Sequence, residues 1–519
     1  MRNTRRLNSR IVIPALIAVL VLVGVPVFAG GAAEEAAVVE QDLVIAIHSD
    51  IVSLDPHGSN DSPSSQVRTQ IYDTLLYHDE DLQLHAGLAV DWEMIEDTVW
   101  EFRLRDGVTF HNGDRFTADA VKANLDRITD PEYGSQRAFL YTMISEVRVV
   151  DDLTVQIETE YPFAPLLAHL AHDAGGIAHP GALDEAGFDE VEPIGTGPFS
   201  LERWEPGDEI VLRRNDAYWG DLPNVDSVTF QIVPEESTRL AMVERGDAHI
   251  ADILQPANIG RAEGSGAMDA HLYESLSLTY VSFNTQTEPF DDVRVRQAIT
   301  MAMDKESIIE GIVEGAGTPA VGPINELVFG AHPELADLEL PYDPDRAQEL
   351  LAEAGYPDGF ETTVWTNDNP TRIAIAEVMQ HNLAEVGIDV SIEVLEWGAY
   401  LDETAEGNHD MFILGWVTVT GDADYGMYAL FHSDNHGAPG NRSFYTQERV
   451  DELLDAGRTE GDVDAREELY FEVQEYLVND APFVYLYHPF YMLAIGNNIE
   501  GYRHRPDNMP VLTDVIITD

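Results

Sequence analysis

The sequence contains no cysteine in its 519 residues and only two lysines, Lys122 and Lys305. The absence of cysteine excludes disulfide bonds, thiolate metal sites and a lipid-modified cysteine at the start of a mature chain. Positive charge is also scarce, because 29 Lys and Arg stand against 94 Asp and Glu and give a formal net charge of −65. Such a chain repels nucleic acid and anionic lipid, so the classes of protein that bind polyanions are excluded.

The acidic residues are spread along the whole chain rather than gathered in one tail. A surface of this kind stays soluble in a saline medium, where counterions weaken the repulsion between like charges. We therefore predict a halophilic acidic surface. The alternative is an unusually acidic periplasmic protein without any adaptation to salt.

The chain also lacks the short motifs that mark common catalytic and metal sites. GxSxG, the Walker A string and HExxH are all missing. His432 and His436 are four residues apart, but Gly437 and Pro439 place them in a loop rather than on one helical face. The sequence therefore predicts no catalytic residue, no metal ligand and no cofactor.

The first thirty residues differ from the rest of the chain. Four arginines within residues 2–10 precede an apolar run at 11–28, and Ala29 completes the small-residue pattern that a signal peptidase reads. We predict a cleaved signal peptide at 1–29 and an acidic linker at 30–41. Since no lipid-anchor cysteine exists, the mature protein is expected to be free in the periplasm.

Two alternatives for this N-terminal segment stay open. The first alternative is a retained membrane anchor, because the apolar run is about 18 residues long and this is the shortest length that spans a bilayer. The pair Arg5-Arg6 leaves export by the twin-arginine route as the other, although Leu7-Asn8-Ser9 matches that signal poorly.

The spacing of apolar residues predicts a mixed α/β protein. Leu43, Ile45 and Ile47 alternate with other residues, which is typical of a half-buried strand at 42–49. A hairpin is predicted at 147–158. From residue 360 onward the predicted elements alternate between strand and helix, which implies parallel strands: strand 360–366, helix 372–385, strand 388–395 and strand 411–417.

A series of segments resembles the signature motifs of the peptide/nickel (family 5) solute-binding proteins of ABC importers. They occur in the order known for that family over nearly the whole chain: LDP at 54–56, LAVDW at 88–92, FRLRDGVTFHNG at 102–113, GTGPF at 195–199, RNDAYW at 214–219, FNT at 283–285, PFDDVRVRQA at 289–298 and YDP at 342–344.

The resemblance implies a type II periplasmic-binding-protein clamshell, with two α/β lobes joined by crossover strands and an extra domain inserted in the N-terminal lobe. We predict lobe I at 42–75, 187–279 and 498–519, the inserted domain II at 76–186, and lobe III at 280–497. Closure of the lobes over a solute would bury it and present a surface that a membrane permease recognises.

The same resemblance implies that the protein is a monomeric receptor and not an enzyme. Its expected partners are a peptide or peptide-like solute and the permease subunits of an ABC transporter. The alternative cargo is a chelated metal such as nickel, or a small saccharide. A hydrolase of the same compartment is the rival from another functional class.

The segment GWVTVTGDADY at 415–425 follows the predicted strand 411–417 and therefore lies at its carboxyl end. In open α/β sheets this end faces the ligand crevice. Trp416 and Tyr425 are candidate walls of the crevice, because an aromatic face covers a peptide bond at little entropic cost. Packing in the core is the alternative for both.

Two positions depart from the pattern of the dipeptide receptors. Those receptors place an aspartate for the peptide ammonium three residues after the matching tryptophan, where this chain has Val419, and an arginine for the peptide carboxylate where it has Thr366. An unpaired charge on a buried ligand costs several kcal/mol. A dipeptide held in the usual way is therefore disfavoured.

The string from residue 415 to residue 445 most resembles the glutathione-type receptors of the family. On that basis Arg442 is the candidate contact for a ligand carboxylate, and Asp422 or Asp424 for an ammonium group. The alternative for the two aspartates is capping of the loop beside Gly421, because short acidic side chains fold back onto backbone amides in turns.

Overall fold

The computed structural model describes residues 41–59, 61–183, 193–437 and 440–518, so the predicted signal peptide and nearly all of the linker lie outside it. Its strands are, in chain order, β1 Asp42–Ile47, β2 Leu76–His78, β3 Leu84–Ala86, β4 Ala89–Glu96, β5 Val99–Leu104, β6 Ile144–Asp151, β7 Thr154–Thr159, β8 Phe199–Glu205, β9 Glu209–Arg214, β10 Ser227–Ile232, β11 Ile250–Ala251, β12 Met268–Tyr273, β13 Ser277–Phe283, β14 Gly317–Pro319, β15 Glu361–Asn367, β16 Asp389–Leu395, β17 Met411–Val417, β18 Phe483–Pro489, β19 Tyr491–Gly496, β20 Ile499–Glu500, β21 Arg503–His504, β22 Pro510–Val511 and β23 Ile516–Ile517.

The α-helices are α1 Ser62–Ile71, α2 Ala118–Thr129, α3 Leu166–Ala171, α4 Pro180–Leu183, α5 Glu236–Arg245, α6 Ile259–Ser265, α7 Val293–Ala302, α8 Lys305–Gly311, α9 Pro344–Ala354, α10 Pro370–Glu385, α11 Trp397–Ala405, α12 Ala423–Phe431, α13 Glu448–Thr459 and α14 Val463–Asp480. Short 3₁₀ turns lie at Ala138–Leu140, Asp173–Gly175, Pro256–Asn258, Leu335–Leu338 and Ser433–Asn435. Within the described residues, no helix combines the length and the apolar character that a membrane crossing needs.

The N-terminal lobe is built on a seven-stranded sheet in the order β12-β19-β11-β1-β10-β9-β8. β1 pairs in parallel with β10 and β11, whereas the other pairs of this sheet are antiparallel. The strand predicted from Leu43, Ile45 and Ile47 is confirmed as β1, and these side chains enter one core while Ala46 enters the core on the opposite face.

A four-stranded antiparallel sheet in the order β4-β5-β7-β6 forms the centre of the inserted domain. The predicted hairpin is confirmed as β6 and β7, and α2 packs against it through Val121 and Leu125. Arg127 on α2 holds this domain on the N-terminal lobe, since its Nη2 lies 2.7 Å from a carboxylate oxygen of Asp55 in the LDP motif. Tyr133 donates to the same carboxylate at 2.6 Å.

The C-terminal lobe is built on a six-stranded sheet in the order β14-β18-β13-β17-β15-β16. β15 is parallel to β16 and β17, as the alternation of strands and helices predicted, but β13 is antiparallel to both β17 and β18. Successive residues of β17 point to different cores, with Met411 and Ile413 on one face and Phe412 and Leu414 on the other.

In the part of the chain that the structure describes, the backbone crosses between the two large sheets twice. β12 leads into β13 through residues 274–276, and β18 leads into β19 through Phe490 alone. Here the structure differs from the predicted limit of lobe III at 497, because β19 pairs with β11 and β12 of the N-terminal lobe. An apolar run shows that a strand is buried but not which sheet receives it. The other predicted domain limits stay a proposal.

Candidate functional site

A cavity of about 170 Å³ lies where the two lobes and the inserted domain meet. The N-terminal lobe contributes Ser62 and Ser65 from the first turn of α1, and the C-terminal lobe contributes Val417 and Val419 at the carboxyl end of β17. The remaining lining residues come from the inserted domain and from the C-terminal part of the chain: Arg137, His172, Asp173, Tyr491, Asp507, Asn508 and Met509.

The lobes are closed over this cavity. The ring of Phe139 in the inserted domain lies 6.2 Å from the ring of Tyr425 on α12, which in turn stacks on Trp416 at 5.5 Å. The backbone N–H of Ala164 donates to the carbonyl of Arg458 at 2.8 Å and adds a direct hydrogen bond across the cleft. A solute in the cavity is therefore enclosed from both sides.

Arg137 brings a positive charge to the cavity and forms no salt bridge with a carboxylate of the described residues. Its side chain is 7% exposed, and its Nε is buried without a hydrogen-bond partner in the described part of the chain. A buried charge without a partner is strongly unfavourable. In a chain this rich in acid, such a guanidinium indicates a place for an anionic group that comes from outside.

The acidic side chains around the cavity already have partners. Asp173 lies 2.8 Å from Nη2 of Arg68, and Asp507 accepts from Nε of Arg505 at 3.0 Å. Burial raises the pKa of Asp173, but the charges of His172, Arg68 and Arg137 together hold it below its usual range. Burial lowers the pKa of His172 to about 4, so this ring is neutral at pH 7. The excess charge of the cavity is thus that of Arg137.

Asp422 and Asp424, predicted as ammonium contacts, point into the C-terminal lobe. Both oxygens of Asp422 accept from Arg466, at 2.8 and 2.6 Å, and one of them also accepts from the backbone N–H of Asp424 at the start of α12. The Asp424 carboxylate accepts from Nε of Arg458 at 2.8 Å. The capping role weighed above is observed for Asp422, and contact of either aspartate with a solute stays a prediction.

Of the other predicted residues, one lines the cavity, two lie beside it and two are buried in the C-terminal lobe. Val419 lines it, whereas Trp416 and Tyr425 form the stack beside it. Arg442 is 7% exposed, and burial lowers the pKa of its guanidinium against the opposing effect of Tyr280. Thr366 is fully buried at the end of β15. Neither Arg442 nor Thr366 lines the cavity, and their contact with a solute stays a prediction.

Sequence reasoning missed Arg137, which lies in the polar loop between α2 and β6. Nothing in the neighbouring residues distinguishes it from other surface arginines, because its lack of a partner is a property of the folded chain. Ser62, Ser65 and Asp507 were missed for the same reason.

Within the described residues, no three histidine, aspartate or glutamate side chains come together in a group that could hold a metal ion. Polar atoms around the cavity are instead suited to hydrogen bonding and to pairing with charged groups of an organic solute.

Several buried histidines make the stability of the protein depend on pH. Burial lowers the pKa of His57 to about 3 and the pKa values of His78, His172, His409 and His504 to about 4. The unfolded chain binds protons at these positions below pH 6.5, so the free energy of unfolding falls between pH 7 and pH 4. We expect each histidine to cost about 2 kcal/mol at pH 5.

Denaturant unfolding in 2 M NaCl at pH 7.5, 6 and 5 measures this effect while salt screens the surface carboxylates. Carboxyl groups with lowered pKa lose their stabilising effect only below about pH 4. A change in the free energy of unfolding between pH 5 and 7 is therefore due to the histidines. A free energy of unfolding that stays level across this window would contradict the prediction.

Comparison with known proteins places the chain in a family. The model for bacterial extracellular solute-binding proteins, family 5 (middle region), matches residues 83–438. The glutathione-binding protein GsiB of Salmonella typhi is 33% identical over 481 residues, which cover 91% of this chain and 93% of that protein.

Solved structures agree in fold. HbpA2 from Haemophilus parasuis has a TM-score of 0.84 at 27% identity, with 92% of this chain and 100% of that chain covered. The periplasmic binding protein DppA from Helicobacter pylori, in complex with the peptide STSA, has a TM-score of 0.76 at 29% identity over 92% of this chain and 98% of that chain. The predicted two-lobed fold is thereby confirmed, and the chain belongs to the bacterial extracellular solute-binding proteins of family 5.

Proposed function

We propose that this protein is the extracytoplasmic receptor of an ABC importer and captures peptides or peptide-like solutes between its lobes. The observation that carries the proposal is the buried guanidinium of Arg137, which reaches a closed cavity without a carboxylate partner among the described residues. A peptide supplies the missing anion through its carboxylate, and hydrogen bonds to a charged group are worth about 1.5–3 kcal/mol each.

The mechanism we propose is capture, closure and release of an unchanged solute. The carboxylate of the ligand pairs with Arg137 of the inserted domain. The same ligand contacts Val417 and Val419 of the C-terminal lobe. Binding therefore favours the closed state over the open state, and the closed surface is what the membrane permease reads. No bond is made or broken, and a monomer is sufficient for this cycle.

A second cavity, of about 520 Å³, supports a ligand longer than a dipeptide. It shares Asp173 and Met509 with the cavity at Arg137 and continues between the N-terminal lobe and the inserted domain. Tyr218 and Trp219 give it an aromatic wall. Glutathione and short peptides fit the combined space, in keeping with the glutathione-binding relatives and with the peptide complex of the Helicobacter pylori protein.

The proposed place of action is the periplasm, which the mature protein reaches by export and cleavage of the segment 1–29. The family consists of extracellular binding proteins.

Calorimetric titration of the intact protein tests the proposal directly. Glutathione, a series of di- to pentapeptides, nickel chelates and small saccharides are titrated in turn in 2 M NaCl, and each mixture is then checked for chemical change. We expect one or more peptides to bind and to be recovered intact. If only a chelate or a saccharide binds, that compound and not a peptide is the transported solute. Hydrolysis of a peptide would contradict the receptor role.

The acidic surface predicts a stability that rises with salt. At a net charge of −65 the folded state is strained by repulsion, and raising NaCl from 0.1 to 1 M shortens the screening length from about 10 Å to about 3 Å. We expect the melting temperature to rise on the order of 5 °C or more over this range. A melting temperature that is independent of NaCl in scanning calorimetry would rule out the saline adaptation.

A further inference from the structure

The hairpin formed by β2 and β3 belongs to two parts of the molecule that lie on opposite sides of the cleft. At its base, Leu75 and Leu76 are buried in the core of the inserted domain. At its tip, Leu82 is 8% exposed and belongs to one of the two cores of the C-terminal lobe, whose other buried members lie within residues 276–485. One short element therefore contributes apolar side chains to a core on each side of the cleft.

The tip of this hairpin contacts the loop that follows β17. The point where a Cβ on Gly421 would lie is 3.6 Å from Cδ1 of Leu82 and 3.9 Å from Cε1 of His78. The loop is fixed in its own lobe, because the backbone N–H of Phe329 donates to the carbonyl of Gly421 at 3.0 Å. Val419 of the same loop lines the cavity between the lobes, whereas Leu82 and Gly421 do not. The hairpin contact therefore lies next to the space for a solute and outside it.

The backbone of Leu82 adopts a conformation that is unfavourable for leucine. Its φ is 56°, in the left-handed region that glycine and asparagine adopt more readily. A strained residue of this kind persists only where the surrounding structure requires it, and such residues concentrate at functional and moving parts of proteins. A glycine would form the same turn without strain, but it would bring no side chain to the C-terminal lobe. The leucine therefore indicates a role for the contact across the cleft.

Hydrogen bonds within the turn hold Leu82 in position. The carboxylate of Asp79 accepts from the backbone N–H groups of Asp81 and Gln83, at 3.0 and 2.8 Å, and its second oxygen lies 2.6 Å from Nε2 of His85. The backbone N–H of Leu82 donates to the carbonyl of Asp79 at 3.2 Å. Since the turn is already ordered by these bonds, little further ordering opposes the entry of Leu82 into the other lobe.

We propose that the β2–β3 hairpin is a latch that holds the lobes closed through the burial of Leu82. Because the base of the hairpin is part of the inserted domain, opening of the cleft withdraws Leu82 from the C-terminal core into water, which is unfavourable. The buried charge of Arg137 acts on the same equilibrium in the opposite direction. The latch does not depend on the identity of the solute, and by favouring the closed state it slows the release of any solute that is enclosed.

Distance measurements by electron spin resonance on the intact protein, without a solute, test the latch. The chain has no cysteine, so spin labels are attached through Asp119→Cys on α2 and Glu377→Cys on α10, both at exposed positions. We expect a closed and an open population, and we expect Leu82→Ala to lower the ratio of closed to open about 10-fold. Arg137→Gln should raise the closed population, and Leu82→Ala should lower the ratio by a similar factor in that background.

Leu453→Ala is the matched control, because Leu453 is 1% exposed in the same C-terminal core but lies on α13, within one lobe. It should lower the melting temperature and leave the ratio of closed to open within twofold. Leu82→Ala should change the ratio with a smaller effect on the melting temperature. Leu82→Gly should open the lobes as Leu82→Ala does although it relieves the strained φ, since the side chain is what holds them.

A ratio within twofold of the unaltered value in both Leu82 variants would overturn the latch. An equal change in Leu453→Ala, or the absence of a closed population in both backgrounds, would overturn it as well. These outcomes leave the proposed function standing, because no solute is present in the measurement. Failure of every peptide to bind would contradict the proposed function and leave the latch standing.

Discussion

Replacement of Arg137 by glutamine is expected to weaken peptide binding about 100-fold or more. The guanidinium is 7% exposed, and without it the carboxylate of a bound peptide would be enclosed unpaired in the cavity. The unliganded variant should be at least as stable as the unaltered protein, because the substitution removes a buried charge that has no carboxylate partner among the described residues. Calorimetric titration and thermal unfolding of the same preparation measure the two effects together.

Arg148→Gln is the matched control for this variant. Arg148 belongs to the same inserted domain, but it is exposed and pairs with Glu146 and Glu158 at the surface. Pairs of this kind contribute little, so its removal should change neither affinity nor melting temperature noticeably. A loss of stability without a loss of affinity in Arg137→Gln would mean that Arg137 supports the fold and does not hold a ligand.

Replacement of Asp422 by asparagine is expected to lower the free energy of unfolding by about 3–5 kcal/mol. The change leaves the guanidinium of Arg466 buried beside Tyr470 with its bidentate partner gone. Peptide affinity of the folded fraction should stay within a few-fold of the unaltered value. Denaturant unfolding followed by titration below the transition separates the two quantities.

A double-mutant cycle with Arg466→Gln makes this prediction sharper. If the pair acts as a unit, the double variant should be clearly more stable than the sum of the two single losses implies. The opposite pattern, an unchanged stability of Asp422→Asn together with a loss of affinity, would support Asp422 as an ammonium contact. That outcome would also require the arginine pairing to break when the solute binds.

Closure explains why a small number of groups is enough for a receptor of this kind. The stack of Phe139, Tyr425 and Trp416 joins the inserted domain to the C-terminal lobe, and among the described residues the chain crosses between the two large sheets at two places. Motion about these crossings requires little unfolding of either core. The buried charge of Arg137 is unfavourable in the closed state without a solute, and the solute neutralises it. Closure therefore depends on the solute.

Local signals predicted much of the secondary structure correctly. Asp304 and Asp343 are of a residue type that favours helix starts, and both side chains accept from a backbone N–H in the first turn of α8 and α9. Gly355 is of the residue type that favours helix ends, and it adopts a positive φ of 100° at the end of α9. These predictions succeed because caps and apolar spacing depend on residues that are close in sequence.

The candidate site was harder to predict because its defining contacts join distant parts of the chain. For Asp422, predicted as a ligand contact, only the folded chain shows that Arg466, 44 residues away, donates to both of its oxygens; its contact with a solute stays a prediction. Arg137 was overlooked for the opposite reason, since only the folded chain reveals that no described carboxylate reaches it. Tertiary structure decides which charged side chains pair with each other. These pairs join residues far apart in the sequence, so local sequence patterns do not predict them.

Native mass spectrometry of the intact protein mixed with glutathione and a set of short peptides tests the central claim most directly. We predict a complex of one protein with one solute, whose released mass equals that of an unmodified carboxylate-bearing peptide, and we predict that the matching C-terminal amides are carried less often. Failure of every peptide to bind, or equal binding of acids and amides, would contradict the account.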